Sequence, residues 1–148
     1  MKKRLLALLL LLLPLITGCA TAPRQPLAEK VQTSLTDAAG LMPFPPEELE
    51  MAADIAPEDC EEAVYLVSED GLSARCVIAV RAKDEAGAQN AAEKLEQYRQ
   101  RRMRETRDYL PEEYALLDAA RVERRGRTAA LLVGEHARED AERLLRGE

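Results

Sequence analysis

The chain has 148 residues, with 21 Lys and Arg against 27 Asp and Glu and a formal net charge of −6. This length fits one domain with a modest core. The acidic balance argues against nucleic acid or an anionic lipid surface as a partner, because both attract basic surfaces. Trp is absent and aromatic residues make up 3% of the chain, which argues against carbohydrate-binding and aromatic-cage modules because these need flat rings to stack on.

The first 18 residues have the layout of an export signal peptide. Met1–Arg4 is a positive head, Leu5–Ile16 is an apolar run of 12 residues, and residues 17 and 18 are small. A stable transmembrane helix needs about 20 apolar residues, so this run is too short to span a bilayer. We therefore predict that residues 1–18 direct export and that the positive head stays on the cytoplasmic side.

The residues that end this segment predict a lipid anchor on Cys19. Ile16-Thr17-Gly18-Cys19 resembles a bacterial lipobox, which has an aliphatic residue, two small residues and a cysteine. In lipoproteins with this motif the thiol receives a diacylglyceryl group and the signal is cut before the cysteine. Each buried methylene contributes about 0.8 kcal/mol, so two or three acyl chains anchor firmly. The alternative is a secreted protein with an incidental cysteine.

An anchored chain would have three parts. Residues 1–18 would be the signal peptide, residues 19–26 the lipidated N-terminus with a short proline-containing tether, and residues 27–148 a single globular domain. The first part contains three of the 21 basic residues and none of the acidic ones, so its removal leaves 18 against 27 and a formal charge of −9. The expected location is the outer face of the cytoplasmic membrane, in the Gram-positive arrangement.

Short helical segments open the predicted domain. Apolar residues recur at four-residue spacing from Leu27 to Leu35, which predicts a short helix that ends near Gly40. Leu41–Pro46 contains three prolines and cannot continue a helix. We predict further helical turns over Glu47–Ala53 and Pro57–Cys60.

Two hairpins are the clearest tertiary signal. Ala63–Val67 and Ala74–Val80 flank Asp70-Gly71, which suits a tight turn with positive φ at both central positions. The predicted register pairs Val67 with Ala74, Tyr65 with Cys76 and Ala63 with Ile78. A second predicted pair, Ala120–Arg125 and Arg127–Val133, turns at Gly126. One side of this pair is apolar, with Val122, Ala129, Leu131 and Val133.

Helices are predicted between and after the hairpins. A long helix runs from an Asp84 N-cap to about Asp108, with an inward stripe made by Ala88, Ala91, Leu95 and Tyr98. Shorter helices are predicted over Glu112–Asp118 and Glu135–Arg146. The last has Ala137, Ala141, Leu144 and Leu145 on its inward side. The order predicts an α+β fold in which two hairpins form one antiparallel sheet, with the long central helix and the terminal helices packed on one face.

Five short stretches, taken in their order along the chain, carry a resemblance to a known family. They are Ile55-Ala56-Pro57-Glu58-Asp59, Val80-Arg81-Ala82-Lys83-Asp84-Glu85, Tyr109-Leu110-Pro111-Glu112-Glu113-Tyr114, Arg125-Gly126-Arg127 and Ala130-Leu131-Leu132-Val133. Together they resemble a family of small Gram-positive lipoproteins, domain-of-unknown-function family 4358 (DUF4358). The resemblance covers the lipobox and the chain from about Leu27 onward, and departs from the family at Pro43–Pro46 and in the arginine run. It implies an extracytoplasmic location and this fold, and it carries over no catalytic residues.

His136 is the single histidine of the chain, so any Ser-His-acid triad would have to include it. Its partner would be Ser34, Ser68 or Ser73, and none of these stands in a G-x-S-x-G nucleophile elbow. We expect His136 to lie exposed near the start of the last helix, and we predict no catalytic residue.

The two cysteines that follow Cys19 are Cys60 and Cys76. With one histidine they are too few and too scattered for a zinc site, so no metal is predicted. In the predicted register Cys76 lies beside Tyr65, about 16 Å beyond Cys60, whereas the Cα atoms of a disulfide lie within about 7 Å. This spacing favours Cys76 as a small core residue, and a disulfide remains the less favoured alternative.

Two charged runs resemble binding sites. The basic run is Arg99, Arg101, Arg102, Arg104 and Arg107. At 100° per residue these side chains ring a helix, which favours a solvated helix end, partly paired with Glu, over an anion site. The acidic run is Glu47, Glu48, Glu50, Asp54, Glu58, Asp59, Glu61 and Glu62. It lacks the D-x-D-x-D-G spacing of a calcium loop, which favours solvated surface.

These features predict a non-enzymatic accessory or binding domain that acts without a cofactor. Its partner would be an envelope protein, bound at a sheet edge or in the groove beside the long helix. One alternative is a hydrolytic envelope enzyme, which a deep pocket with carboxylates of raised pKa would favour. Another is an accessory subunit of a transporter. An exposed apolar patch would favour the partner-binding hypothesis.

Overall fold

A computed structural model describes residues 24–148, and within them the chain forms five helices and five strands. The helices are α1 (Leu27–Ser34), α2 (Glu48–Ala53), α3 (Glu85–Thr106), α4 (Pro111–Ala119) and α5 (Ala137–Leu144). The strands are β1 (Leu41–Phe44), β2 (Cys60–Ser68), β3 (Cys76–Ala82), β4 (Val122–Arg125) and β5 (Thr128–Val133). A 3-10 turn at Pro57–Asp59 leads into β2. The predicted signal peptide and Cys19 lie outside the described residues.

The strands form one antiparallel sheet in the order β1-β2-β3-β5-β4. The predicted hairpins β2–β3 and β4–β5 lie side by side, joined by pairing of β3 with β5. In that pairing Cys76 faces Val133 and Arg81 faces Thr128. The predicted fold class, an α+β domain built on one antiparallel sheet, is therefore confirmed.

Helices cover both faces of this sheet, so the prediction that all of them pack on one face is wrong. The first face carries α2, α3 and α4, and Leu95 of α3 belongs to the same core cluster as Ile78 of β3. The second face carries the terminal helices, and Leu27 of α1 and Leu144 of α5 share a cluster with Val77 of β3. Successive strand residues point to opposite faces, so the apolar residues 76–80 of β3 need a cover on each side.

The first hairpin forms in a register two residues away from the predicted one. It pairs Val67 with Cys76, Tyr65 with Ile78 and Ala63 with Val80. The loop is longer than a two-residue turn, because the Asp70 carboxylate accepts the N–H groups of Leu72 and Ser73, both at 2.9 Å. Gly71 supplies a positive φ of 66°. A shift of two residues keeps every side chain on its predicted face.

The second hairpin turns at Gly126, as predicted. Gly126 has φ of +51°, a conformation that side-chain-bearing residues rarely adopt, and Arg125 faces Thr128 across the turn. The apolar side predicted for this hairpin faces the first core cluster, with Val122, Ala129, Leu131 and Val133. Both the turn and the inward face are therefore confirmed.

The long helix α3 also begins as predicted. Asp84 has an extended backbone, and its carboxylate accepts the Gly87 N–H at 2.7 Å, which satisfies one of the unpaired donors of the first turn. The predicted inward stripe is buried, with Ala88, Ala91, Leu95 and Tyr98. This stripe holds α3 across the first face of the sheet.

Strand β1 was not predicted, because its proline and the two prolines that follow it argued against a regular element. It pairs with β2 at one edge of the sheet, where Met42 faces Val67, and proline is tolerated at such edges. The Leu41 N–H donates to the Ala38 carbonyl at 3.2 Å, so residues 41 and 43 direct their backbone nitrogens away from β2. Pro43 has no N–H to offer. This part of the outer edge therefore presents no free donor to an added strand.

Candidate functional site

The two ends of the sheet differ in chemistry. At the entry end, the segment that precedes α1 joins the domain beside Arg81 of β3 and Glu62 of β2. At the far end, β3 begins at Cys76 and β5 finishes at Val133. Arg81 lies five positions after Cys76 in β3, a distance of about 17 Å along the strand.

A buried ionic cluster occupies the entry end. The guanidinium of Arg81, 1% exposed, donates to the Glu148 carboxylate at 2.9 Å and pairs with Glu62. Lys30 and the Thr128 hydroxyl donate to the two Glu148 oxygens, each at 2.6 Å. Burial would raise the pKa of Glu148, but these three donors outweigh burial and lower its pKa to about 2. Glu148 is therefore a carboxylate at any physiological pH.

The same cluster holds the segment that enters the domain. The Leu27 N–H, at the start of α1, donates to Glu62 Oε2 at 2.6 Å. Arg81 Nη1 donates to the Gln25 carbonyl at 3.3 Å. Since both contacts run to groups fixed in the sheet, the position and direction in which residues 25–27 leave the domain are fixed as well.

Sequence reasoning missed this cluster and assigned Glu62 to solvated surface. One signal was present, because Arg81 interrupts the apolar run of β3 and a charge inside a doubly covered strand needs a buried partner. The partner itself could not be read from the sequence, since Glu148 lies 67 residues away along the chain.

A cleft of about 200 Å³ lies at the far end, between the terminal helices and the ends of β3 and β5. Its apolar lining includes Leu35, Leu41, Leu116 and Leu132, and its polar lining includes Asp37, Arg75, His136 and Asp140. Leu116 belongs to α4, on the first face, so the cleft reaches around the end of the sheet from one helical layer to the other.

Most charged groups of the cleft are held by neighbours. Arg75 donates to the Ala39 carbonyl at 3.2 Å and pairs with Asp37 at 3.4 Å. The buried Asp140 carboxylate accepts the Thr36 hydroxyl at 2.6 Å and the Thr36 N–H at 3.2 Å, and it pairs with Arg143. These contacts tie the segment that follows α1 to α5 and shape the cleft.

Two loops beside the cleft expose large apolar side chains. Leu72 is 70% exposed and Tyr109 is 85% exposed, and Leu110 is also exposed. Glu113 of α4 joins the two loops, because its carboxylate accepts the Ala74 N–H at 2.5 Å and the Ser73 hydroxyl at 3.2 Å. The far end therefore combines an open cleft with exposed apolar groups held on ordered backbone.

The structure does not assemble a triad around His136. His136 lies exposed at the N-cap of α5, as predicted. The Ser68 hydroxyl donates to Asp70 at 3.1 Å and the Ser73 hydroxyl donates to Glu113 at 3.2 Å.

The cysteines lie far apart along the same strand pair. Cys60 faces Ala82, whereas Cys76 faces Val67, six residues away along β3 and about 20 Å; both thiols are free. Cys76 is buried in the first core cluster, as predicted, and burial raises its pKa to about 12. Burial, then nearby Asp59, also raises the pKa of Cys60. Both thiols stay protonated near neutral pH, which removes their nucleophilic form.

The predicted arginine ring is partly paired, as expected. Arg99 pairs with Glu96 at 2.7 Å, and Arg101 and Arg102 both lie within 4 Å of Glu105. In the acidic run, three members pair with basic residues elsewhere in the fold: Asp54 with Lys94, Glu61 with Arg127, and Glu62 with Arg81.

Within residues 24–148, no group of three or more His, Cys, Asp or Glu side chains is placed to hold a metal ion. No helix in this part of the chain has the length and apolarity needed to cross a bilayer.

A protein-family model described as "Domain of unknown function (DUF4358)" matches residues 35–134. The chain belongs to this family. The DUF4358 region runs from the residue after α1 to the residue after β5, so it contains the sheet and the first-face helices. Helices α1 and α5 lie outside it, and the match is narrower than the span from Leu27 onward that the sequence suggested. No curated protein and no solved structure matches the chain.

The DUF4358 boundaries divide both ends of the molecule. At the entry end, Glu62, Arg81 and Thr128 lie inside the matched region, whereas Lys30 and Glu148 lie outside it. At the far end the two apolar loops are inside, whereas His136 and Asp140, which line the cleft from α5, are outside. The exposed loops are therefore part of the DUF4358 domain proper, and the cleft is completed by segments that flank it.

Proposed function

We propose that this chain is a lipid-anchored extracytoplasmic lipoprotein whose domain serves as a non-enzymatic accessory or binding module at the outer face of the cytoplasmic membrane. The anchor would be Cys19, within the Ile16-Thr17-Gly18-Cys19 lipobox. The observation that carries the proposal is that the two ends of the domain differ. Hydrogen bonds hold the N-terminal segment at the entry end, and the cleft with its exposed apolar loops lies at the far end.

A short tether would hold the domain against the bilayer. Gln25 lies six positions after Cys19, and an extended chain of that length spans about 20 Å. Because Arg81 and Glu62 hold residues 25–27, the entry end would face the membrane and the far end would face outward. A partner would therefore meet the far end first.

The carboxyl groups favour the binding module over the hydrolytic enzyme. Where a pKa is shifted in residues 24–148, the carboxyl groups of Asp70, Glu96 and Glu148 all shift downward. The causes are hydrogen bonds from backbone N–H groups, Arg99 and Arg81 respectively. A general acid needs the opposite shift. The far-end cleft, moreover, uses its buried carboxylate to join two helices.

The outer edge of β1 is a poor docking strand, which narrows the predicted modes of binding. Leu41 has its N–H in use and Pro43 has none, so a partner strand would find no donor there. Side chains at the far end, and not backbone pairing at this edge, would supply the contacts.

The anchor is tested by Cys19→Ala in cells that produce the full chain. We expect the variant to leave the membrane fraction for the medium, or to keep its signal peptide, and to lose labelling by a radioactive or alkyne fatty acid. Cys60→Ala is the matched control, since its thiol lies in the domain, and it should keep the wild-type distribution. Unchanged lipid labelling of Cys19→Ala would refute the anchor.

A further inference from the structure

We propose that the surface made by Leu72, Tyr109 and Leu110, here called the loop patch, docks a basic segment of an envelope protein through aliphatic or aromatic anchors. This inference rests on the proposed binding function and gives it a surface and a partner chemistry. The patch lies at the far end, on two loops of the DUF4358 region.

The loop patch is rigidly supported although its side chains are exposed. Asp70 accepts three groups of its own loop: the N–H of Leu72, the N–H of Ser73 and the hydroxyl of Ser68. Glu113 then bonds this loop to the first turn of α4, directly after Leu110 and Pro111. Because the backbone that carries these side chains is already held, binding through them would cost little backbone conformational entropy, which favours their use as anchors.

The charges around the loop patch define the partner. Glu69, Asp108 and Glu112 are exposed, and their carboxylates make no hydrogen bond or ion pair with any residue that the structure describes. The two loops with their flanks, residues 69–75 and 104–113, carry six acidic side chains against three arginines, of which Arg75 pairs with Asp37 and Arg107 lies over the Tyr114 ring at 6.0 Å. Unpaired carboxylates around an apolar centre complement a segment with Lys or Arg flanking apolar residues.

The same charges disfavour two other occupants. An anionic bilayer surface would repel the rim, and the loop patch lies at the end of the sheet away from the residues that lead to the tether. A second copy of this chain would place one acidic rim against another in a symmetric contact. A basic segment of a different protein meets neither obstacle.

The test is photocrosslinking in intact cells that produce the full chain. A photoreactive benzoylphenylalanine replaces Leu72 in one strain and the exposed Glu142 of α5 in the control strain. We expect a discrete protein adduct at position 72, well above position 142, in which the crosslinked peptide carries Lys or Arg beside apolar residues. Adducts with lipid, with a second copy of this chain, or at equal yield from both positions would overturn the proposal.

Charge reversal supplies the second arm. Glu112→Lys, in the first turn of α4, should lower the adduct yield at position 72 about fivefold or more, because it places a like charge opposite the partner. Glu139→Lys makes the same change in the first turn of α5, outside the loop patch, and should leave the yield within about twofold. Circular dichroism and the Tm of both variants establish that the fold is unchanged. Equal yields from the two variants would exclude a basic partner.

The anchor and the docking surface can fail separately in this experiment. Fractionation of the same cells reports whether the protein is held at the membrane. Membrane-held protein without a specific adduct at position 72 overturns the loop patch alone. Released protein that still gives the adduct overturns the anchor alone.

Discussion

The entry end and the far end each depart from the usual rule that charged side chains are exposed and apolar side chains are buried. At the entry end charged groups pair with one another in the interior, with Arg81 and Glu148 both at most 3% exposed. At the far end large apolar groups such as Leu72 lie in solvent. Burying charges costs desolvation, and exposing apolar groups forgoes burial, so neither arrangement follows from stability alone. Under the proposed function, one end would hold the chain at the membrane and the other would contact the partner.

Among the substitutions of charged groups, the largest effect is expected from breaking the entry-end cluster. Glu148→Gln keeps the shape of the side chain but removes the charge that Arg81 and Lys30 share. Loss of one partner from a buried pair costs about 3–5 kcal/mol, and urea unfolding of the purified protein would measure it. Glu142→Gln, which disrupts the exposed pair with Arg138, should cost less than about 1 kcal/mol. Equal losses would show that the cluster is no more buried than the surface pair.

Acid should weaken the same end. The pKa of Glu148 falls from 4.5 in the unfolded chain to about 2 in the folded one, so its contribution to stability is complete above pH 4.5 and is lost as the pH falls toward 2. We expect the free energy of unfolding to fall across this window. In Glu148→Gln that part of the pH dependence should disappear. Parallel pH profiles for the two proteins would contradict the assignment.

A smaller effect is expected at the link between α1 and α5. Asp140→Asn weakens the hydrogen bonds from Thr36 and the pair with Arg143, and the loss of such a buried bond costs about 1–3 kcal/mol. Thermal unfolding would measure the change. A loss of stability larger than that of Glu148→Gln would mean that the Asp140 link contributes more to the fold than the entry-end cluster.

The smallest effect on stability belongs to the loop patch. Leu72→Ser removes a side chain that is 70% exposed, and exposed substitutions usually change the free energy of unfolding by about 0.5 kcal/mol or less. Leu95→Ser, in the buried stripe of α3, is the contrasting control and should be severely destabilising. Similar urea midpoints for the two variants would mean that Leu72 is a core residue.

Local signals in the sequence predicted the first face of the fold. Asp84 as a cap, Gly126 as a turn and the alternation of Val122 with the β5 residues all act over a few residues, so they could be read directly. The second face depends on which layer the terminal helices join, and short helices such as α1 carry no local signal for that choice. The predicted register of the first hairpin was wrong by two residues because the side chain of Asp70 stabilises a longer loop. Residue type alone does not reveal that loop.

The candidate site was less predictable than the fold. The cleft brings together Leu35, Arg75, Leu116 and His136 from four separate parts of the chain. No spacing of residues along the sequence could therefore predict it. The sequence did not single out the exposed loops. Whether Leu72 or Tyr109 is exposed depends on which other elements pack over it, and that is a tertiary property. In contrast, the irregular placement of Arg81 within an apolar strand was a readable sign of a buried partner.

The bonding of α1 to α5 has a practical consequence for anyone who isolates the family region. Lys30 of α1 pairs with Glu148, which follows α5, and Arg143 of α5 donates to the Ser34 carbonyl of α1 at 3.0 Å. A fragment trimmed to residues 35–134 would lose both helices and uncover an apolar sheet surface that contains Val77, Ala79, Ala130 and Leu132. Such bare surfaces promote aggregation, so we expect the fragment of residues 35–134 to aggregate more readily than a chain that keeps both helices.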